Sequence, residues 1–179
     1  MHTFIVRHGF ERVSVLLTVV VMVLVAGATR VATAGVPPSG VVKIMNAHSG
    51  LCLSPAGGGR DKNVEIVQFT CDEDPSRSWN MTSLGGNLYQ IINVNSGLCL
   101  TVAGGGTERN VVSVQYLCDA DPSRKWRYTE LDGGMFRLVN VHSGLCLTVA
   151  GGGTDRNGRA VQFPCDGDPS RNWKVIPGR

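Results

Sequence analysis

Along most of the chain, short runs of β-branched, aliphatic and aromatic residues alternate with clusters of Gly, Asn, Asp and Ser. Runs of this length between turn-forming residues predict β-strands, because branched and aromatic side chains suit a pleated, half-buried surface. We find no helix candidate among these runs. In the middle third of the chain the predicted strands are residues 89–93, 98–102, 111–116 and 126–129.

The same arrangement occurs three times at a constant spacing of 47 residues, without insertion or deletion. A repeat of this length indicates one supersecondary unit used three times. Three units are fewer than the about four blades of a propeller, and the capping repeats of an open solenoid are missing. Closure around an axis also removes exposed sheet edges. We therefore predict an all-β fold, a β-trefoil of three 47-residue, four-stranded repeats with pseudo-threefold symmetry.

The shared core of this fold is predicted from apolar residues that take the same place in each repeat. Each of the three tryptophans takes the same place, so we interpret them as core anchors rather than platforms for a ligand. The predicted core residues are Ile44, Ile91 and Leu138, the three Leu-Cys-Leu segments, and Trp79, Trp126 and Trp173.

The N-terminal part of the chain is predicted to be a signal peptide. Arg7, His8 and Arg12 form a basic start, and an apolar run follows at residues 13–28. Small residues stand at 32–34, where a signal peptidase would cleave. The alternative is an uncleaved membrane anchor, which we favour less because 16 residues are fewer than the ~20 that span a bilayer.

These features define the expected organisation of the chain. Residues 1–34 are the signal peptide, residues 35–40 an exposed N-terminal segment, and residues 41–179 one domain. The repeats within that domain are residues 42–88, 89–135 and 136–179. We expect the mature protein to be secreted, extracellular and without a stable membrane anchor.

The charge of the predicted mature chain is almost balanced. The whole chain has 17 Lys and Arg residues, 14 Asp and Glu residues and a formal net charge of +3. Three of the basic residues and one of the acidic residues lie in the predicted signal peptide, which leaves a net charge of +1. No basic stripe remains, so we expect no nucleic-acid partner.

All six cysteines lie in the repeats, two in each copy, which in an exported chain predicts disulfide bonds rather than a metal site. Either each copy closes on itself, or each second cysteine bonds to the first cysteine of the next copy. We favour the first pairing because the second requires Cys165 to return to Cys52. Closing a loop of ~20 residues contributes roughly 3 kcal/mol. The favoured pairs are Cys52–Cys71, Cys99–Cys118 and Cys146–Cys165.

Three features of each copy resemble the ricin B-type lectin family, with which the xylan-binding modules of secreted glycosidases are grouped. They are a Ser-Gly-Leu-Cys-Leu segment, a strand of the form Val-Gln-Phe/Tyr-x-Cys, and a Trp eight residues after that second cysteine. The resemblance covers residues 41 to about 177. It implies a β-trefoil with up to three shallow sugar pockets, one per repeat, and a disulfide inside each repeat.

The resemblance also implies candidate carbohydrate-binding residues, since a sugar ring packs its C–H face on an aromatic ring and its hydroxyls need hydrogen-bond partners. The aromatic position of the family is kept, but its aspartate is replaced by a hydroxyl residue and its Asn-Gln pair by Ser-Arg. We expect a rebuilt pocket in which a turn aspartate takes part. The candidates are Phe69, Tyr116 and Phe163 as rings, Ser54, Thr101 and Thr148 as hydroxyls, and Asp74, Asp121 and Asp168 as weaker contacts.

Gln68, Gln115 and Gln162 stand directly before these rings. Neighbouring residues of a strand point to opposite faces, so we expect the glutamines to lie outside the pockets. The Asp-x-Asp-Pro-Ser-Arg segments are predicted to be turns rather than Ca²⁺ loops, with a carboxylate paired to the arginine that follows. The Gly triplets are predicted to be loop tips rather than phosphate cradles.

These residues predict a binding protein rather than an enzyme, because no nucleophile is set against a histidine in a recognisable arrangement. We expect no metal and no cofactor. The expected partner is a glycan or polysaccharide, and a secreted enzyme or protein partner is a further possibility. The alternative function is a protein-interaction or inhibitor trefoil that has lost sugar binding and acts through its Gly-rich loops. Asn80 opens a glycosylation sequon that occurs in one copy alone.

Overall fold

The computed structural model describes residues 40–178, so the predicted signal peptide and residues 35–39 lie outside the described part of the chain. Within that part, twelve strands and seven three-residue 3₁₀ turns are present. The strands are β1 (Gly40–Asn46), β2 (Cys52–Pro55), β3 (Ile66–Phe69), β4 (Ser78–Gly85), β5 (Leu88–Asn93), β6 (Cys99–Val102), β7 (Ser113–Tyr116), β8 (Trp126–Glu130), β9 (Phe136–Asn140), β10 (Cys146–Val149), β11 (Ala160–Phe163) and β12 (Trp173–Pro177).

Six of the strands close into a barrel by antiparallel pairing. The order is β1, β4, β5, β8, β9 and β12, and β12 pairs with β1 again. The other six strands form the hairpins β2–β3, β6–β7 and β10–β11. The second strands of the hairpins meet through three isolated bridges, one between each pair of repeats. This is the β-trefoil that the repeat predicts. No helix in residues 40–178 has the length and apolar character needed to cross a bilayer.

The three tryptophans anchor the core as predicted. Each is fully buried, and its indole N–H donates to a leucine carbonyl of the same repeat at 2.9–3.0 Å. In each Leu-Cys-Leu segment, however, only the second leucine joins the core, because the first lies in the turn before the strand and is half-buried. The buried leucines are Leu53, Leu100 and Leu147.

Each disulfide lies within its own repeat, which confirms the favoured pairing. The bonds are Cys52–Cys71, Cys99–Cys118 and Cys146–Cys165, each with a Cα–Cα distance of 5.1 Å. The first cysteine is buried at the start of a hairpin and lies opposite the aromatic residue that ends the hairpin, as in the pair Cys52 and Phe69. The bond therefore ties the acidic turn that follows the aromatic residue to the hairpin.

Buried amide side chains join each repeat to the one before it, and the first repeat to the third. The side chain of Gln115 is fully buried and donates to the carbonyls of Gly59 and Asp61, both at 2.9 Å. Gln162 bonds in the same way to Gly106 and Glu108, and Gln68 to Gly153 and Asp155. The buried Asn46, Asn93 and Asn140 donate in turn to the carbonyls of Ser170, Ser76 and Ser123 at 2.7–2.8 Å. These bonds form a closed ring.

Candidate functional site

One cavity lies beside each hairpin, at equivalent positions of the three repeats. Their volumes are about 80 Å³ in the first repeat, 350 Å³ in the second and 430 Å³ in the third. We name them the first, second and third cavities. Cavities that hold small ligands are typically about 300–1,000 Å³, so the second and third fall in that range and the first does not.

Eight of the nine predicted binding residues line these cavities. The exception is Asp74, which takes the equivalent position in the first repeat but is not part of the cavity wall. The predicted residues are therefore brought together as three sets. These are Ser54 with Phe69 in the first cavity, Thr101 with Tyr116 and Asp121 in the second, and Thr148 with Phe163 and Asp168 in the third.

The predicted hydroxyl residues form the floor of the cavities. Ser54, Thr101 and Thr148 are at most 3% exposed. Each hydroxyl lies 2.9–3.3 Å from the hydroxyl of a serine 22 residues further on, in the acidic turn. The floor of each cavity is therefore already tied to the turn, and a ligand hydroxyl that approaches it must join an existing hydrogen-bond network.

The turn aspartates stand at the rim, and their side chains are about half exposed. In the third repeat, the carboxylate of Asp168 accepts hydrogen bonds from the Ser170 backbone N–H at 2.9 Å and the Ser170 hydroxyl at 2.6 Å. These bonds lower the pKa of Asp168 below its ordinary value, and the Arg171 charge adds to the effect. The same contacts lower the pKa of Asp74 and of Asp121. All three carboxylates therefore stay ionised at mildly acidic pH.

An arginine links this turn to the aromatic ring in every repeat. The predicted pairing with the turn carboxylate is present, at 3.3 Å for Arg77, 2.9 Å for Arg124 and 3.0 Å for Arg171. The guanidinium also lies over the ring, 4.7–5.0 Å from its centroid. Such cation–π contacts favour a fixed orientation of both groups. This role of the arginine was not predicted, although the arginine follows the ring by eight residues in all three copies.

Each cavity is completed by the loop of a neighbouring repeat. Asn63 lines the second cavity, Asn110 the third and Asn157 the first. A basic side chain of the same loops lies over two of the rings, with Lys62 5.6 Å from the Tyr116 centroid and Arg156 5.8 Å from that of Phe69. These residues were not predicted, because each pocket was expected to lie within a single repeat. The recurrence of Asn at this place in every copy was the available signal.

The glutamines lie outside the cavity walls, as predicted, and hold the neighbouring loops instead. The Gly triplets are not isolated loop tips, because their first two glycines line the cavities. At Gly58, which has a φ of +68°, an added Cβ would lie 3.4 Å from the Ser76 hydroxyl. The backbone thus passes close to the acidic turn in a conformation that suits glycine.

Solved structures that share the fold include a designed protein, a lectin and one part of an enzyme. The designed threefold symmetric protein ThreeFoil has a TM-score of 0.75 at 23% identity over 76% of this chain and 98% of its own. An exo-β-1,3-galactanase from Clostridium thermocellum has a TM-score of 0.74 at 28% identity, over 79% of this chain and 31% of the enzyme. A ricin B-like lectin of Macrolepiota procera, solved with lactose, has a TM-score of 0.67 at 16% identity, over 78% and 96%.

Among curated proteins, no sequence matches this chain significantly. The family model described as ricin-type β-trefoil lectin domain-like matches residues 31–117, 78–163 and 122–179. These overlapping matches cover all three repeats, and the three equivalent cavities and the barrel agree with them. The chain therefore belongs to the family of ricin-type β-trefoil lectin-like domains.

Proposed function

We propose that this protein is a secreted, non-catalytic carbohydrate-binding module that recognises a glycan or polysaccharide. The observation that carries the proposal is the repeated combination of a half-buried aromatic ring, an arginine and an ionised carboxylate around a cavity of ligand size. A sugar needs an apolar face to pack on and charged or polar groups for its hydroxyls. The second and third cavities offer both.

The turn aspartate supplies the charged acceptor that is missing at the usual position of the family. In the third cavity, Asp168 uses its Oδ1 atom for Ser170 and Arg171. Because these contacts all use Oδ1, we propose that Oδ2 accepts a hydrogen bond from a ligand hydroxyl. In the second cavity, the Oδ2 atom of Asp121 already pairs with Arg124 at 2.9 Å. We therefore propose the third cavity as the stronger site.

The related structures support the coarse assignment. The Macrolepiota procera lectin was solved with lactose, and a Polyporus squamosus lectin of this fold was solved with a sialylated glycan. This chain corresponds to 31% of the galactanase chain, which favours a targeting role beside a secreted enzyme as a variant of the same proposal. Two working cavities on one domain would also raise the apparent affinity for a polymeric ligand.

A glycan array tests the proposal. The parent protein is expected to give signals that are lost in a Phe69→Ala/Tyr116→Ala/Phe163→Ala variant. A Leu84→Ala/Val94→Ala variant is the matched control, since both residues are 43% exposed and lie outside the cavities. Circular dichroism of both variants checks that the fold is kept. Equal signals from the parent and the triple variant would refute the assigned site.

The alternative, a protein-interaction or inhibitor trefoil, is favoured by the loop side chains next to the Gly triplets. Arg60, Asp61 and Lys62 are all exposed, and the glycines beside them line the cavities. Both functions would therefore use the same face of the molecule. An array without any signal from the parent protein would favour the interaction function, and co-purification from the secreted fraction would then identify the partner.

A further inference from the structure

The loop asparagine that completes each cavity has an unusual backbone. Asn63, Asn110 and Asn157 have φ values of 66°, 67° and 64°, in the left-handed region. Elsewhere in the described residues, positive φ values occur at glycine alone. The loops differ in sequence before this position, as Arg-Asp-Lys, Thr-Glu-Arg and Thr-Asp-Arg, yet each contains Asn here.

The backbone of these asparagines is fixed while their side chains remain available. The N–H of Asn63 donates to the Gln115 carbonyl at 2.8 Å, and Asn110 and Asn157 bond in the same way to Gln162 and Gln68. Within residues 40–178, none of the three amide groups takes part in a side-chain hydrogen bond. Each of the three residues is exposed and lines a cavity. A side-chain amide has donors and an acceptor, so it is able to bind two adjacent hydroxyls at once.

Two explanations account for Asn at this position. Asn tolerates the left-handed region better than most residues, so the backbone alone is one reason. Glycine meets that requirement at least as well, and this chain uses glycine at its other positions of this kind. The second explanation is that the amide itself is used. The placement of Asn63 and Asn110 in cavity walls whose ring comes from another repeat favours this explanation.

We propose that Asn63 and Asn110 are specificity-determining contacts, each binding adjacent hydroxyls of a saccharide held in the cavity of the neighbouring repeat, while Asn157 takes the equivalent place at the narrow first cavity. Each site is then composite: one repeat supplies the ring and the carboxylate, and the loop of the other supplies the amide. This inference rests on the proposed carbohydrate-binding function and assigns a ligand class to it, a saccharide with a pair of adjacent free hydroxyls.

The test separates the backbone from the amide. In an Asn63→Gly/Asn110→Gly/Asn157→Gly variant, glycine keeps the left-handed conformation and removes the amide. The matched control is Arg60→Ala/Thr107→Ala/Thr154→Ala, because these exposed residues stand three positions earlier in the same loops and outside the cavity walls. Affinity is measured by calorimetry with the strongest glycan found for the parent protein on the array, and thermal unfolding is followed for every variant.

We expect the glycine variant to lose about tenfold in affinity at an unchanged melting temperature, while the control binds as the parent does. An Asn→Asp variant of the three positions, which also tolerates this backbone but lacks the amide donor, is expected to lose affinity as well. Unchanged affinity in both variants would overturn the inference. Because that result requires a parent protein that binds, it is distinct from failure of the proposed function, in which the parent binds no glycan.

Discussion

The first and third cavities are built from equivalent positions of two repeats, yet the first is about five times smaller than the third, at about 80 Å³ against about 430 Å³. Both contain a phenylalanine under an arginine of the same repeat. In the first, Arg156 of the neighbouring loop also lies over the ring, whereas in the described residues Arg171 is the one cation over the ring of the third. The second cavity keeps about 350 Å³ although Lys62 lies 5.6 Å from its ring centroid, so the repeat sets where a cavity lies, and the size and position of the loop side chain over the ring, rather than its charge, distinguish the narrow cavity.

The largest expected effect comes from the glutamines that hold these loops. Gln162→Ala and Gln68→Ala each remove two hydrogen bonds from a buried side-chain amide to loop carbonyls and are expected to cost about 1–3 kcal/mol of unfolding free energy. Gln162 holds the loop that completes the third cavity, and Gln68 the loop that covers the first. Denaturant unfolding should thus show similar losses for both variants, while calorimetry shows weaker glycan binding for Gln162→Ala alone. Equal loss of binding in both would contradict the distinction between the cavities.

The rings themselves give the next largest effect. Phe163→Ala removes the packing face of the open cavity and is expected to weaken glycan binding about tenfold at that site. Phe69→Ala removes the equivalent ring of the narrow cavity and is expected to leave binding close to that of the parent protein. The measurement is a calorimetric titration of both variants side by side. If Phe69→Ala proves as damaging as Phe163→Ala, the small cavity opens in solution.

The turn carboxylates of the third and first repeats, Asp168 and Asp74, are expected to differ by a smaller amount in their effect on glycan binding. The pKa of Asp168 and that of Asp74 are lowered, so both carboxylates are ionised above about pH 4. Their contribution to folding stability is therefore present above this pH, and it is lost as the pH falls through the lowered pKa. We expect glycan binding to be constant from neutral pH to about pH 4 and to decline below it. Asp168→Asn should weaken binding a few-fold and Asp74→Asn should not, since Asp168 lines its cavity and Asp74 does not.

Arg156→Ala should produce the smallest change, and in the opposite direction. Removal of the side chain over Phe69 widens the first cavity, and because Arg156 is exposed its loss should leave the melting temperature unchanged. We expect the number of glycan molecules bound per protein to rise, with Arg109→Ala at the equivalent position of the third cavity as the control. A count that stays the same in both variants would show that the ring cation does not limit access.

The repeats explain why so much of the fold follows from the sequence. Strands, buried tryptophans and disulfides depend on positions within one repeat, and the residue at each position can be compared among three copies. The composite cavities depend on contacts between repeats, such as Asn110 beside Phe163, and a linear period does not encode those. The arginine over each ring was not predicted for a different reason: it also pairs with the acidic turn, and that pairing alone accounts for a basic residue at this place.

The hydrogen bonds that the buried Gln and Asn side chains make between repeats form a closed ring, and this ring limits how many binding sites the architecture carries. The third repeat attaches to the first by the same bonds that join the other neighbours, as Gln68 shows with Gly153 and Asp155. A fourth copy has no free edge to dock on, unlike an added unit in an open solenoid. Higher valency on a polymer surface therefore has to come from whole domains linked in tandem or from several molecules bound side by side, rather than from lengthening this one.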